Sequence, residues 1–163
     1  MKKQVCFFIV LFGFKFTFSS LVNLDVLVKQ ENVKAIEKIL DDPLAKLSYQ
    51  DSDGNSLLMV SIHNKWFNIA QSLIDKKIEI NHQNRLGDTA LSFAVLDGNL
   101  DLVKKLIDAG VDQQKENNLG RKAVTLAAIL LRDERINLDQ NKKQKYQEIH
   151  DLLKESSCSC VIA

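Results

Sequence analysis

The chain has 163 residues, which fits a single domain and leaves no room for a catalytic domain beside a separate partner-binding module. Hydrophobic residues make up 45% and charged residues 26%, a balance that excludes a wholly disordered chain. The formal net charge is only +1, so we expect no nucleic-acid partner.

Residues 1–20 have the pattern of a secretory signal peptide. Two lysines form a positive start, an apolar stretch follows over 5–14, and Thr17 and Ser19 are small residues placed for cleavage after Ser19. We expect cleavage there and therefore a secreted or periplasmic protein. An uncleaved membrane anchor and a soluble N-terminal arm stay open as alternatives, and the protein associates with a membrane if the segment is kept as an anchor.

Two short segments with the appearance of a degenerate helix pair follow, at 24–30 and 33–40. The apolar positions of the second segment repeat those of a later segment, 100–107. We therefore expect a helix pair at the N-terminal end of the domain.

The central part of the chain repeats with a period of about 33 residues, a spacing typical of repeat architectures. Gly54, Gly87 and Gly120 follow one another at this period, and the residues around them align as well. Ser56 and Thr89 each precede an apolar-periodic run, as helix N-caps do, because their hydroxyls accept hydrogen bonds from free backbone N–H groups. Self-similarity at this spacing predicts stacked repeats, since helices so short cannot bury their apolar faces alone.

Each repeat is predicted to contain a second helix, at 67–76 and at 100–109. Gly110 follows the later helix, at the position where a residue in the left-handed conformation commonly ends a helix. Gly87 is expected to have a positive φ in the tight turn of a projecting hairpin.

At these positions the chain resembles the ankyrin repeat family. A nearly complete ankyrin repeat is formed by Gly87-Asp88-Thr89-Ala90-Leu91, Gly98-Asn99-Leu100 and Ala109-Gly110, and the resemblance covers about 21–155. It implies an all-α fold, an ankyrin-repeat solenoid of stacked helix-turn-helix units with projecting hairpin loops. It also implies that the partner is another protein, without saying which one, because the family binds many unrelated partners.

The period predicts how the chain is divided. We expect a degenerate N-terminal capping repeat at 21–50, two full ankyrin repeats at 51–83 and 84–116, a degenerate C-terminal repeat at 117–155 with an insertion near 132–144, and a flexible cysteine-containing tail at 156–163. The insertion accounts for the late apolar positions Ile149, Leu152 and Leu153. We expect the stack to be a monomer.

In ankyrin domains the hairpin tips and the exposed side of the first helices line a concave surface, and the resemblance implies the same surface here. The partner-binding positions that it implies are Asp53, Asn55, His63, Asn64, Arg85, Leu86, Asp88, Leu96, Asp97, Asn118, Leu119 and Arg121, with Ser52, Ile129 and Leu130 beside them.

Two features of this surface have more than one interpretation. Leu86 and Leu119 occupy equivalent hairpin tips, where they either form an exposed apolar stripe or tuck against the next hairpin. Trp66 either anchors a partner or packs over the N-terminal helix pair, and we favour packing.

We expect no catalytic activity. None of the three histidines, His63, His82 and His150, has a second His or Cys at metal-ligand spacing, so no metal site is predicted. Ser61, His63 and Asp97 lack a nucleophile elbow such as G-x-S-x-G, and a glycine-rich phosphate loop is absent from the sequence. We therefore expect neither a cofactor nor a small-molecule substrate.

The C-terminus has the form of a prenylation box, in which Cys160 is followed by Val161-Ile162-Ala163. Cys158 would supply a second lipidation site, and stable anchoring takes two lipids. A free tail and a Cys158–Cys160 disulfide remain open.

Two functions within the binding class follow from these patterns. The preferred one is a secreted or periplasmic inhibitor, immunity or protective factor that masks a partner protein. The alternative is a host-directed bacterial effector at a host-cell membrane, which a lipidated tail would favour.

Overall fold

The structure is a computed structural model that describes residues 24–42, 47–132 and 140–158. The segment 1–20, predicted to be a signal peptide, lies outside the described residues. Within the described residues the chain forms eight α-helices. They are α1 (Leu24–Lys29), α2 (Val33–Leu40), α3 (Leu57–His63), α4 (Phe67–Asp75), α5 (Ala90–Asp97), α6 (Leu100–Asp108), α7 (Ala123–Arg132) and α8 (Gln140–Cys158).

Polar side chains define where the first helices of the central repeats begin. Ser56 Oγ accepts a hydrogen bond from the N–H of Met59 at 3.4 Å, and Thr89 Oγ1 accepts one from the N–H of Ser92 at 3.3 Å. Each bond satisfies an N–H that has no helical partner in the first turn. The two predicted N-caps are confirmed.

The second helices form close to their predicted bounds. α4 ends at Asp75 and α6 ends at Asp108, one residue earlier than expected in each case. Gly110 follows α6 with a φ of +85°, and Gly87 in the hairpin has a φ of +78°. Both values confirm the left-handed backbone expected at these glycines.

The helices stack as neighbouring pairs. The first helices α3, α5 and α7 contact one another in series, and so do the second helices α2, α4, α6 and α8. One apolar core runs through the stack, with Leu58, Ile69, Leu91 and Ile149 among its fully buried members. Because each pair is too short to bury its own apolar face, the neighbouring pairs complete the core. The predicted all-α solenoid of stacked helix-turn-helix units is confirmed.

The last helix is longer than the other second helices. It begins at Gln140, inside the segment 132–144 predicted as an insertion, and residues 133–139 lie outside the described part of the chain. Tyr146, Ile149 and Leu153 are buried three and four positions apart, so α8 packs along one stripe. The helix continues to Cys158, three residues into the segment predicted as a tail.

Candidate protein-interaction surface

Loops precede three of the first helices. Isolated antiparallel bridges join Gln50 to Ser56 and Gln83 to Thr89, so the loops before α3 and α5 are hairpins. The loop before α7 is closed by the N–H of Asn117, which donates to the carbonyl oxygen of Arg121 at 3.0 Å. Each hairpin therefore leads into the helix that follows it.

One side chain shapes each hairpin from within. Asn84 Oδ1 accepts hydrogen bonds from the N–H groups of Leu86 and Asp88, at 3.0 and 2.9 Å. Asp51 and Asn117 accept the same two bonds in their own hairpins, at distances of 2.8 to 3.1 Å. These side chains replace the backbone partners that a tight turn lacks, and so they hold the hairpin tips in one conformation.

Sequence reasoning missed these three shaping residues. Asp51, Asn84 and Asn117 recur at the same period that relates the hairpin glycines. Each one lies three positions before its glycine. An Asp or Asn recurring at this position is a turn signal in its own right, because its side chain bonds to backbone N–H groups further along.

Backbone hydrogen bonds join neighbouring hairpins. The N–H of Arg85 donates to the carbonyl oxygen of Asp53 at 3.0 Å. In the next pair of hairpins the N–H of Asn118 donates to the carbonyl oxygen of Leu86 at 2.9 Å. The three hairpins therefore form one continuous edge of the stack.

Side chains strengthen the same edge. Asn84 Nδ2 donates to Asn55 Oδ1 at 2.7 Å, and Asn117 Nδ2 donates to Asp88 Oδ1 at 2.9 Å. Asn55 and Asp88 are two of the positions predicted to contact a partner, and both are partly buried. In the structure these two side chains join adjacent hairpins.

The two hairpin leucines are exposed to solvent. Leu86 is 64% exposed and Leu119 is 71% exposed. Neither side chain tucks against the next hairpin, so the structure decides between the two interpretations in favour of an apolar stripe. Large apolar side chains held in water by an ordered turn are typical of a surface that binds another protein.

A second row of exposed side chains lies on the first helices. His63, Leu96 and Ile129 occupy equivalent positions of successive repeats, on α3, α5 and α7. Leu96 is 47% exposed and Ile129 is 38% exposed. The His63 ring meets the ring of Phe93 edge to face, with centroids 6.4 Å apart. The row therefore changes from polar in the first central repeat to apolar in the later ones.

The turns after the first helices add charges next to this row. α3 is followed by its C-cap residue Asn64, and the adjacent Lys65 places its Nζ 3.9 Å from Asp97 Oδ1. The pair joins the turns of two repeats. An exposed pair of this kind contributes little to stability, so its main effect is on the charge pattern of the surface.

Trp66 lies at the start of α4 and does not cap the helix with a side-chain hydrogen bond. Its side chain is partly buried and packs against the core, in the same groove as Val33 and Glu37 of α2. This position favours packing against the N-terminal helix pair over a role as a partner anchor.

The carboxyl of Asp51 has a pKa below its ordinary value of 3.8. Partial burial raises the pKa, but the hydrogen bonds from the Asn55 side chain and from the N–H groups of Asn55 and Asp53 outweigh burial. The nearby Arg85 guanidinium lowers the pKa further. Asp51 therefore stays ionised within the first hairpin well into the acidic range.

Ser61 and His63, two of the residues considered for catalysis, lie in different surroundings. Ser61 is buried, and its hydroxyl donates to the carbonyl oxygen of Leu58 at 2.8 Å within α3, while the His63 side chain is exposed. In the described part of the chain the His, Cys, Asp and Glu side chains form no cluster that could hold a metal ion. Cys160 lies outside the described residues, and only the backbone of Cys158 is described.

The family model described as "Ankyrin repeats (3 copies)" matches residues 24–117 and 68–142, which together make up most of the chain. The chain belongs to the ankyrin repeat family. Ankyrin repeats are generally modules for protein–protein interaction and are typically non-enzymatic. No curated protein shows significant similarity to the chain.

In this ankyrin repeat protein the predicted binding positions form two rows. Asp53, Leu86 and Leu119 occupy equivalent hairpin positions, and the row led by His63 lies on the first helices. None of the helices within 24–42, 47–132 and 140–158 is long and apolar enough to cross a membrane.

Proposed function

We propose that the protein is a non-enzymatic interaction module that binds a partner protein through its hairpin tips and the concave face of the stack. The exposure of Leu86 and Leu119 on ordered hairpins carries this proposal. Because hydrogen bonds already hold these tips, binding would order little additional chain, and less of the interaction energy is lost to entropy.

Within that class we infer a secreted or periplasmic inhibitor, immunity or protective factor that masks its partner. The signal-like sequence of residues 1–20 supports export. A small repeat stack with one ordered face can cover a surface of another protein, and it needs no catalytic activity to do so.

Site-specific crosslinking tests the binding proposal. A photo-crosslinking amino acid at Arg85 or Arg121, expressed in the native organism, should trap one protein in a defined covalent adduct. The same amino acid at Lys104, an exposed position on the second helix α6, is the matched control and should trap none of it. Leu86→Asp should abolish the adduct and leave Tm nearly unchanged. Equal trapping from all three positions would contradict the proposal.

The sequence Cys160-Val161-Ile162-Ala163 favours a second candidate, a host-directed effector anchored through a prenylated Cys160. The intact mass of the protein recovered from its natural setting separates the two. Loss of roughly the first 19 or 20 residues with an unmodified C-terminus supports export to the envelope. A prenyl adduct with loss of the last three residues supports the effector, and Cys160→Ser should then abolish its association with host membranes.

A further inference from the structure

The exposed apolar residues of the two rows of predicted binding positions are concentrated at one end of the stack. Six large hydrophobic residues of the described chain are exposed, and Leu86, Leu96, Leu119 and Ile129 are four of them. These four, here called the apolar quartet, come from two neighbouring repeats and occupy the same two positions in each.

The equivalent positions in the preceding repeat are polar. Asp53 lies one repeat before Leu86, and His63 lies one repeat before Leu96. Both of these polar residues are exposed. The two rows of predicted binding positions therefore have a polar end and an apolar end, and burial of apolar area, the main source of binding energy, is available mainly at the apolar end.

Two positive charges without a salt-bridge partner in the described part of the chain lie beside the apolar quartet. Arg85 and Arg121 are exposed on the same two hairpins and form no salt bridge with any acid of the described ranges. Of the nearby acids, Asp97 faces Lys65 at 3.9 Å, and Asp88 Oδ1 accepts a hydrogen bond from the neutral amide of Asn117. Asp51, in the preceding hairpin, is close enough to Arg85 for the guanidinium to lower the pKa of its carboxyl. Neither guanidinium lies within salt-bridge distance of an acid of the described residues, so both can pair with carboxylates of a partner.

We propose that the apolar quartet and these two arginines seat an acidic, apolar segment of a partner protein. The segment would place large apolar side chains on the two repeats and carboxylates against Arg85 and Arg121. This inference rests on the proposed function and names the part of the partner that the surface recognises.

The spacing of the repeats sets the spacing of those apolar side chains. Stacked helices lie about 8–10 Å apart, so the two anchors of the segment are separated by a similar distance. In a helix this corresponds to residues seven apart, at about 10.5 Å. In polyproline II it corresponds to residues three apart, at about 9.3 Å.

A second copy of this chain fits the surface less well than such a segment. An isologous dimer brings the same patch of both copies together. Such a dimer would bring four guanidinium groups into one interface, and like charges brought close together are unfavourable. Charge complementarity therefore favours a different, acidic partner.

Peptide selection tests the inference directly. A library of random 16-residue peptides displayed on phage would be selected on the purified protein, in parallel with the variant Leu86→Asp/Leu119→Asp. The wild-type protein should enrich peptides that contain at least two large apolar residues and Asp or Glu. The best peptide, made synthetically, should bind the double variant at least about tenfold more weakly.

Two further variants test the specificity of peptide binding. Lys104→Asp is the matched control on the outer helix and should keep peptide affinity within about twofold. Arg85→Glu/Arg121→Glu should instead enrich peptides that carry Lys or Arg, because the charge of the site is reversed. Circular dichroism and Tm establish that each variant is folded, and Leu119→Asp alone replaces the double variant if that one fails to fold.

Several outcomes would overturn the inference. These are enrichment of basic peptides, equal enrichment on wild type and on the leucine variants, and no enrichment at all. A dimer in solution that Leu119→Asp dissociates would show that a second copy covers the quartet. The proposed function fails separately, when crosslinking from Arg85 and Arg121 traps no more partner than crosslinking from Lys104.

Discussion

The hydroxyl of Tyr146 donates a hydrogen bond to the backbone carbonyl oxygen of Leu96 at 3.0 Å. The Tyr146 ring also lies against Gly98, where an added Cβ would be 3.2 Å from the ring carbon Cζ. One side chain of α8 thus holds the turn after α5, and with it the end of the helix that presents Leu96 to solvent.

Replacing Tyr146 should loosen the C-terminal helix. Tyr146→Phe removes the hydrogen bond and should lower the free energy of unfolding by about 1 kcal/mol. Tyr146→Ala also removes a buried ring and should cost about 3 kcal/mol or more. Urea denaturation measures both values, and hydrogen exchange should show protection lost in α8 before it is lost in α4. Equal stability of Tyr146→Phe and wild type would contradict this role of the hydroxyl.

The stability of the protein at alkaline pH provides a second test of the Tyr146 hydroxyl. Burial, and then the charge of Asp97, raise the pKa of Tyr146 above its ordinary value of 10.0. The stabilisation from the protonated phenol is therefore complete below pH 10 and is lost as the pH rises through the higher folded pKa. Tyr146→Phe should show a smaller alkaline loss of stability than wild type, with the remainder coming from Tyr49, whose pKa is also raised, first by burial.

Asp51 should make the protein sensitive to acid. Its pKa is below 3.8 in the folded state, so its stabilising effect is complete above that value and is lost as the pH falls through the folded pKa. We expect the free energy of unfolding, measured with urea between pH 5 and pH 2, to fall more steeply in wild type than in Asp51→Asn.

Asp51→Asn is a suitable control because the other hairpins contain asparagine at this position. Asn84 and Asn117 accept both backbone bonds, so the variant can keep the shape of the first hairpin. It loses the bond that Asn55 Nδ2 donates to Asp51 Oδ2 and should be less stable at neutral pH. Parallel acid profiles of the two proteins would show that other groups cause the acid loss.

Alanine at two equivalent hairpin glycines should measure the stacking of the hairpins. Gly87 and Gly120 have φ values of +78° and +67°, so an alanine at either position is strained by about 1–2 kcal/mol. At Gly87 the added Cβ would lie 2.9 Å from the backbone of Asn117 and Asn118, whereas nothing lies within 4 Å at Gly120. Gly87→Ala should therefore cost about 1–3 kcal/mol more than Gly120→Ala. Equal shifts in urea midpoint would mean that the hairpins do not stack closely in solution.

Lys77 offers a route to a more stable protein. It follows α4 with a φ of +52°, at the position that Gly110 occupies after α6. Hydrogen bonds from Lys77 to Ile74 and from Ile78 to Leu73 keep the residue in this left-handed cap. Lys77→Gly removes the strain of the positive φ, but glycine loses more backbone entropy on folding than lysine does. We expect the free energy of unfolding to rise by about 0.5–1 kcal/mol in total.

The matched control for this glycine is Lys104→Gly. Lys104 is exposed within α6, where glycine should lower stability by about 1 kcal/mol. Thermal unfolding of the two variants should therefore shift Tm in opposite directions. A lower Tm for Lys77→Gly would mean that the lysine side chain contributes more than the strain costs.

Local features of this fold could be predicted because the hydrogen bonds that form them join residues close in sequence. Ser56 and Thr89 cap helices through N–H groups three positions away, so their identity and position are enough to predict the bond. The role of Asn84 could have been predicted by the same reasoning. It accepts hydrogen bonds within its own hairpin, and an Asp or Asn occupies the equivalent position of the other two hairpins.

The period of the sequence is enough to predict the repeat architecture, because helices this short can bury their apolar faces only by stacking. It also placed Leu86 and Leu119 at equivalent hairpin positions. That both side chains are exposed could not be predicted, since exposure depends on whether other parts of the folded chain cover them. The hydrogen bond between Tyr146 and Leu96 could not be predicted either. The two residues are far apart in the chain, and their contact depends on how α8 packs against the stack.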